Sequence, residues 1–147
     1  MSIRSMGVIG AGIMGRRMML SLQRHPRWRV AAAWDPHAAT VPDGVPRAGS
    51  LEALLHERAV DAIYIASPPA AHLAGVRAAL AAGRPVLCEK PLTPDVASAQ
   101  VLREAVAAAG LPFAVNFPLA ASPAARRLVE VVRSGALGDV QELRVTA

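Results

Sequence analysis

Short apolar runs alternate along this chain with stretches of helical spacing, and glycine, proline and small polar residues separate the two kinds. Ile3 to Ile9 reads as an apolar strand, and Gly12 to Arg24 as the helix that follows it. A second apolar run, Trp28 to Trp34, is stopped by Asp35-Pro36. Pro36 to Gly49 holds three prolines and two glycines, so it reads as loop with a short strand near Val45. Ser50 is placed to cap a helix through His56, with Glu52 in the first turn where the helix dipole favours it. Asp61 to Ala66 is a third strand, ended by Ser67-Pro68-Pro69. A helix from Ala70 to Ala82 closes at Gly83, a left-handed cap, and Pro85 to Cys88 is a short strand. Thr93, Pro94 and Asp95 supply an N-cap, a first-turn proline and an acidic residue for a helix ending before Gly110. Phe113 to Phe117 is another strand, Ser122-Pro123 starts a helix ending near Gly135, and Val140 to Val145 alternates like a last strand.

These strands are short and mostly apolar, and no two-residue hairpin turn joins them. That pattern predicts a parallel sheet covered on both faces, a doubly wound α/β fold. Roughly a fifth of the residues are alanine, and the aromatics are Trp28, Trp34, Tyr64, Phe113 and Phe117. Such a composition suits helices packed closely on a sheet better than a β-sandwich. At 147 residues the chain is one domain by length, with room for a real core.

Arg4 followed by apolar Met6 to Met14 faintly resembles a signal peptide, but glycines interrupt the run and Arg16-Arg17 follow it. A buried strand entering a glycine loop accounts for the same residues better. There is no run of about 18 consecutive apolar residues, so no membrane span is expected. The single cysteine, Cys88, cannot form an internal disulfide, which fits a reducing compartment. A soluble cytoplasmic protein is the expectation. The formal charge of +5 raises nucleic acid as a partner, yet the arginines are scattered and not interleaved with aromatics. They read as a solvated surface, so neither nucleic acid nor a membrane is expected as a partner.

Gly10-Ala11-Gly12-Ile13-Met14-Gly15 has the spacing of a phosphate-binding turn. The first glycine permits the tight turn, the second lets a pyrophosphate approach the backbone, and the third lets helix and strand pack closely. An ordinary strand-to-helix turn has the same residues, so context decides. Here the motif follows a strand, opens a helix and lies in a strand–helix–strand unit, as dinucleotide binding requires. Asp35 lies 25 residues after Gly10, at the end of the second strand, where a carboxylate can accept hydrogen bonds from adenosine ribose hydroxyls. A carboxylate there repels a 2′-phosphate, which favours NAD over NADP. Arg16, Arg17 and His37 lie close enough in sequence to soften that preference.

Lys90 is the only lysine of the chain, in Cys88-Glu89-Lys90-Pro91 at a strand end. Ligands of doubly wound folds bind beyond the carboxyl ends of the strands. A compact ammonium there can transfer a proton or stabilise an alkoxide. A surface lysine in a loop, with Glu89 for a neighbour, fits the position equally well.

Taken together, Gly10-Ala-Gly-Ile-Met-Gly15, Asp35, Ser67-Pro68-Pro69-Ala-Ala-His72 and Glu89-Lys90-Pro91 resemble, in order and spacing, the Gfo/Idh/MocA oxidoreductases. That family includes glucose–fructose oxidoreductase and inositol dehydrogenase. The resemblance implies an NAD(P)-binding Rossmann domain over 1–119, with 120–147 forming a crossover helix and the first strand of a second, substrate domain. It implies that Ser67, Pro68 and His72 lie along the cofactor with Glu89, and that Lys90 sits near the nicotinamide and the substrate hydroxyl. His72 also reads as a helix-start residue with a satisfied ring, and Cys88 as a small buried strand residue. No spacing of histidine, cysteine and carboxylate suggests a metal.

Members of that family are about twice as long as this chain, and their second domain supplies a histidine and an aspartate for proton transfer and substrate binding. None of His25, His37, His56 and His72 matches that histidine. After Asn116, an arginine-containing segment common in the family gives way to Phe117-Pro-Leu-Ala120. The expected reaction is hydride transfer between a secondary alcohol of a sugar, cyclitol or polyol and the nicotinamide. This chain is expected to bind NAD without efficient turnover by itself, and a non-catalytic NAD-binding or regulatory module is the alternative. An uncovered apolar patch on the last helix and strand would favour a homo-oligomer.

Overall fold

In the computed structural model, residues 2–37 and 40–144 are described, and strands and helices alternate as the apolar pattern predicts. The order is β1 (Arg4–Ile9), α1 (Ile13–Gln23), β2 (Trp28–Trp34), α2 (Leu51–His56), β3 (Ala62–Ile65), α3 (Pro69–Ala81), β4 (Val86–Glu89), α4 (Val96–Ala109), β5 (Phe113–Asn116) and α5 (Pro123–Arg133). The strands form one parallel sheet in the order β2-β1-β3-β4-β5. From β1 the chain crosses first to one side, to β2, and then back over β1 to β3. The carboxyl ends of β1 and β3 therefore flank the point where the winding reverses, and a crevice opens there.

Alternation along β1 assigns the two faces. Met6 and Val8 point to the side of Met19 and Leu22 of α1, while Ile9 points to Leu54 of α2, Val76 of α3 and Leu102 of α4. Helices thus cover both faces, the arrangement that short, wholly apolar parallel strands require. Leu54, Ile63, Ile65, Val76 and Leu102 are at most 1% exposed. Each contributes about 1.5–3 kcal/mol by leaving water.

Three local details differ from the sequence reading. The N-cap of α4 is Asp95 rather than Thr93: its carboxylate accepts the Ser98 amide and hydroxyl, both at 2.8 Å, while the Thr93 hydroxyl donates to the Asp95 carbonyl. The strand expected near Val45 is a single bridge pairing Arg47 with Ala33. Residues 140–144 form no strand, and Val145 lies outside the described residues. Alternation alone does not hold a strand, because its backbone groups need a partner ladder.

By contacts the chain divides into residues 1–116 and 117–147. In the second unit, Ser122 caps α5 by accepting the Ala125 amide and Pro123 occupies the first turn, as the sequence predicts. Among the described residues, no helix is long and apolar enough to cross a membrane.

Candidate functional site

The glycine loop joins β1 to α1 at the crevice, and each glycine there answers a different steric demand. Gly10 adopts φ +91°, and a Cβ on it would stand 2.6 Å from the Ser67 backbone nitrogen. A Cβ on Gly15 would stand 2.0 Å from the Gly10 carbonyl oxygen, so the start of α1 lies directly against the turn. Gly12 is different: a Cβ there meets nothing within 4 Å. It is the N-cap of α1 and no side chain caps that helix, leaving its first amides for a ligand. An uncapped helix start beside open space is what an incoming phosphate requires.

Asp35, just past the end of β2, does more than face the crevice. Its Oδ2 accepts the Ala11 amide at 2.8 Å, and its Oδ1 accepts the His37 amide at 2.8 Å. The carboxylate thus ties the glycine loop to the loop after β2, and each oxygen keeps a lone pair for a ribose hydroxyl. Arg16 makes a second tie, donating from Nε to the Ala11 carbonyl (3.2 Å) and from Nη2 to the Thr40 carbonyl (2.8 Å).

A cleft of about 880 Å³ runs along these loops, lined by Gly10, Gly12, Ile13, Met14 and Asp35, and by Ser67 and Pro68 at the end of β3. Ile13 is 74% exposed, a large apolar surface held at the cleft by the first turn of α1. The Ser67 hydroxyl is buried without a hydrogen-bond partner, an orphan that a polar ligand can satisfy after a side-chain rotation. An open glycine cradle, an uncapped helix start, a carboxylate with spare lone pairs and an orphan hydroxyl together fit a dinucleotide.

The remaining expected residues do not line this cleft. Ala11 is buried in the turn and Gly15 in the first turn of α1. Lys90 is exposed just after β4, and no ion pair or side-chain hydrogen bond among the described residues engages its ammonium. Glu89 turns inward and is only 3% exposed. Its Oε1 accepts the Tyr64 hydroxyl and the Asn116 amide (2.6 Å), and its Oε2 accepts the Lys90 amide (3.1 Å). Burial by itself disfavours the ionised acid, but these donors, with the Lys90 charge, outweigh it and hold the carboxyl below its ordinary range. Burial and then the Glu89 carboxylate raise the Tyr64 phenol above its ordinary value. The same causes push the Cys88 thiol up to about 12, so this cysteine is an inert core residue.

His72 is also buried, at 1% exposure, in the first turn of α3. Nε2 lies 2.8 Å from the Ser67 carbonyl, and Nδ1 lies 3.1 Å from the carbonyls of both Pro91 and Leu92. Its ring is therefore spent on main chain, as the satisfied-ring reading has it, and does not face the cleft.

Tyr64 and Asn116, the partners of Glu89, carry no role in the sequence reading, and Arg16, placed there only near the ribose, ties the two loops of the cleft. Parallel register sets Asn116 of β5 opposite Glu89, and Tyr64 reaches Glu89 from β3 on the other side of β4, where it pairs with Leu87. The available signals were a lone tyrosine inside an apolar strand and a polar residue at the end of another.

Residues 4–117 match the model of an oxidoreductase family with an NAD-binding Rossmann fold. An inositol 2-dehydrogenase from Corynebacterium glutamicum strain R is 34% identical over 146 residues, which are 94% of this chain and 43% of that protein. A solved 3-ketoreductase from Actinomadura kijaniata, in complex with TDP-benzene and NADP, superposes with a TM-score of 0.83 at 29% identity, over 95% of this chain and 45% of its own. A scyllo-inositol dehydrogenase from Lactobacillus casei with bound NAD(H) shares the fold, with a TM-score of 0.86 at 23% identity over 94% of this chain and 43% of its own. The chain thus spans about two fifths of the length of such relatives.

Proposed function

This chain belongs to the Gfo/Idh/MocA oxidoreductase family, whose model describes an NAD-binding Rossmann fold, and from that premise we propose that it is the cofactor-binding half of a dehydrogenase or reductase acting on a secondary alcohol of a sugar, cyclitol or related polyol. The observation that carries the reading is the cleft at the glycine loop, with Gly12 open to it and the Asp35 carboxylate at one end. NAD is the cofactor the residues favour, because the carboxylate accepts ribose hydroxyls and repels a 2′-phosphate. The amides at the start of α1 would hold the pyrophosphate.

The sheet order supports one direction for the dinucleotide. Asp35 marks the adenosine end over β2, so a ligand crossing β1 brings its other half over the ends of β3 and β4. Those ends carry Ser67, Pro68 and Lys90. The nicotinamide, when bound, supplies the hydride acceptor or donor. The Lys90 ammonium steadies the developing alkoxide or, in the reductive direction, gives a proton to it, while taking the hydroxyl proton in the oxidative direction falls to the neutral amine. Its relatives' greater length leaves the substrate's remaining contacts to residues other than these.

Fluorescence titration of the purified chain with NADH tests the proposal, reading Trp34 of the cleft wall and the nicotinamide emission together. Saturable binding that ADP-ribose competes away is expected, with little NADH formed from NAD and a polyol panel. Failure to saturate at millimolar NADH would overturn the reading.

A further inference from the structure

The ladder between β3 and β4 ends at Ile65 and Cys88. Beyond that pair the two chains part: one runs through Ser67 and Pro68 into α3, the other through Lys90 and Pro91 towards α4. Glu89 turns the second of them towards β5, pairing with Asn116. The cross-link between the two segments past the end of the ladder is the His72 ring, with the Ser67 carbonyl at one nitrogen and the Pro91 and Leu92 carbonyls at the other. Carbonyl oxygens only accept, so the ring donates from the nitrogen that carries its proton. A buried apolar side chain would fill the same space and leave all three carbonyls without that donor.

We propose that His72 is a positioning residue that fixes the loop carrying Ser67 against the loop carrying Lys90, so that the nicotinamide half of the cofactor and the lysine meet in one geometry. The inference rests on the NAD reading above for its functional part and on the hydrogen bonds alone for its structural part. It assigns the two ends of the cleft to different supports. Asp35 and Arg16 hold the adenosine end, and His72 holds the nicotinamide end.

The experiment uses the chain's only lysine as a reporter. Reductive methylation with a carbon-13 label gives one lysine NMR signal, identified by its loss in Lys90→Arg. Two variants are compared with the parent: His72→Phe keeps an aromatic ring and loses the N–H donor, and His72→Gln restores an N–H donor on a different side chain. The Lys90 signal of the free protein is expected to move or broaden in His72→Phe. NADH affinity is expected to fall about tenfold while ADP-ribose, which lacks the nicotinamide, binds within about twofold of the parent. His72→Gln is expected to lie between. Retained ADP-ribose binding shows that a variant is folded, and if His72→Phe does not fold, His72→Gln carries the comparison.

Equal weakening of NADH and ADP-ribose would overturn the proposal, since a general loss of structure predicts that result. An unmoved Lys90 signal with unchanged NADH affinity would overturn it too. If the parent binds neither nucleotide, the NAD reading fails, and the Lys90 signal of the free protein still decides whether His72 braces the loops.

Discussion

Replacing Asp35 with asparagine changes almost no volume, yet it should damage both the fold and the cofactor site. The side chain faces two donors, the amides of Ala11 and His37, each 2.8 Å from a different carboxylate oxygen. A carboxamide has one oxygen and one NH₂ group, so whichever way it turns, one backbone N–H loses its acceptor and meets another donor. A hydrogen bond to a charged group contributes about 1.5–3 kcal/mol, and the surviving bond, no longer charge-assisted, weakens as well. Asp35 is half-buried, which places the loss at about 2 kcal/mol rather than at the sum of both bonds. For a domain of this size that is roughly 5–12 °C in the thermal midpoint. Affinity for NADH should fall by a further factor of about ten or more, because the ribose also loses its charged acceptor. Circular dichroism melts and NADH titrations of parent and Asp35→Asn read the two effects separately. A midpoint within about 2 °C of the parent would refute the strut, and unchanged NADH affinity would refute Asp35 as the ribose partner.

Two other outcomes follow from the same loops. Gly15→Ala should cost about 3 kcal/mol or prevent folding, because its methyl would stand 2.0 Å from a backbone oxygen, whereas Gly12→Ala meets nothing and should melt no lower than the parent. Yet Gly12→Ala should bind NADH about tenfold more weakly, the methyl occupying the space a pyrophosphate needs; equal affinity would refute that use of the space. Glu89→Gln tests the buried network through pH. The folded carboxyl titrates lower than its ordinary 4.5, so its contribution is complete above that pH and is lost as pH falls through the folded value. The parent midpoint should therefore drop more steeply with acid than that of Glu89→Gln, which should start lower at neutral pH. Parallel curves would refute the assignment.

Much of this architecture could be read before any coordinates. Parallel strands buried on both faces must be short and apolar, and Gly and Pro mark their ends, so β1 to β5 stand out as runs such as Asp61 to Ala66. The close packing at Gly10 and Gly15 fits the tight turn and the helix contact expected of them, and the space beside Gly12 is open. What could not be read were the partners of polar groups. Glu89 turns inward because Tyr64 and Asn116 arrive from neighbouring strands, a matter of register rather than of local sequence. His72 follows the same rule, its acceptors lying 19 and 20 residues away. Thr93 and Asp95 were both capable caps, and the Ser98 side chain decided between them by offering the carboxylate a second donor.

The tie between Asp35 and Ala11 spans 24 residues, those of His72 span 5 to 20, and those of Glu89 reach no further than 27. Closing loops of that length costs little more entropy than closing the shortest ones, since the penalty grows only with the logarithm of length. Kinetically, the cleft is therefore built from near neighbours in the chain, one strand–helix–strand turn after another. The ties that Asp35 and Arg16 make join β1, α1 and the loop after β2, segments that leave the ribosome in close succession.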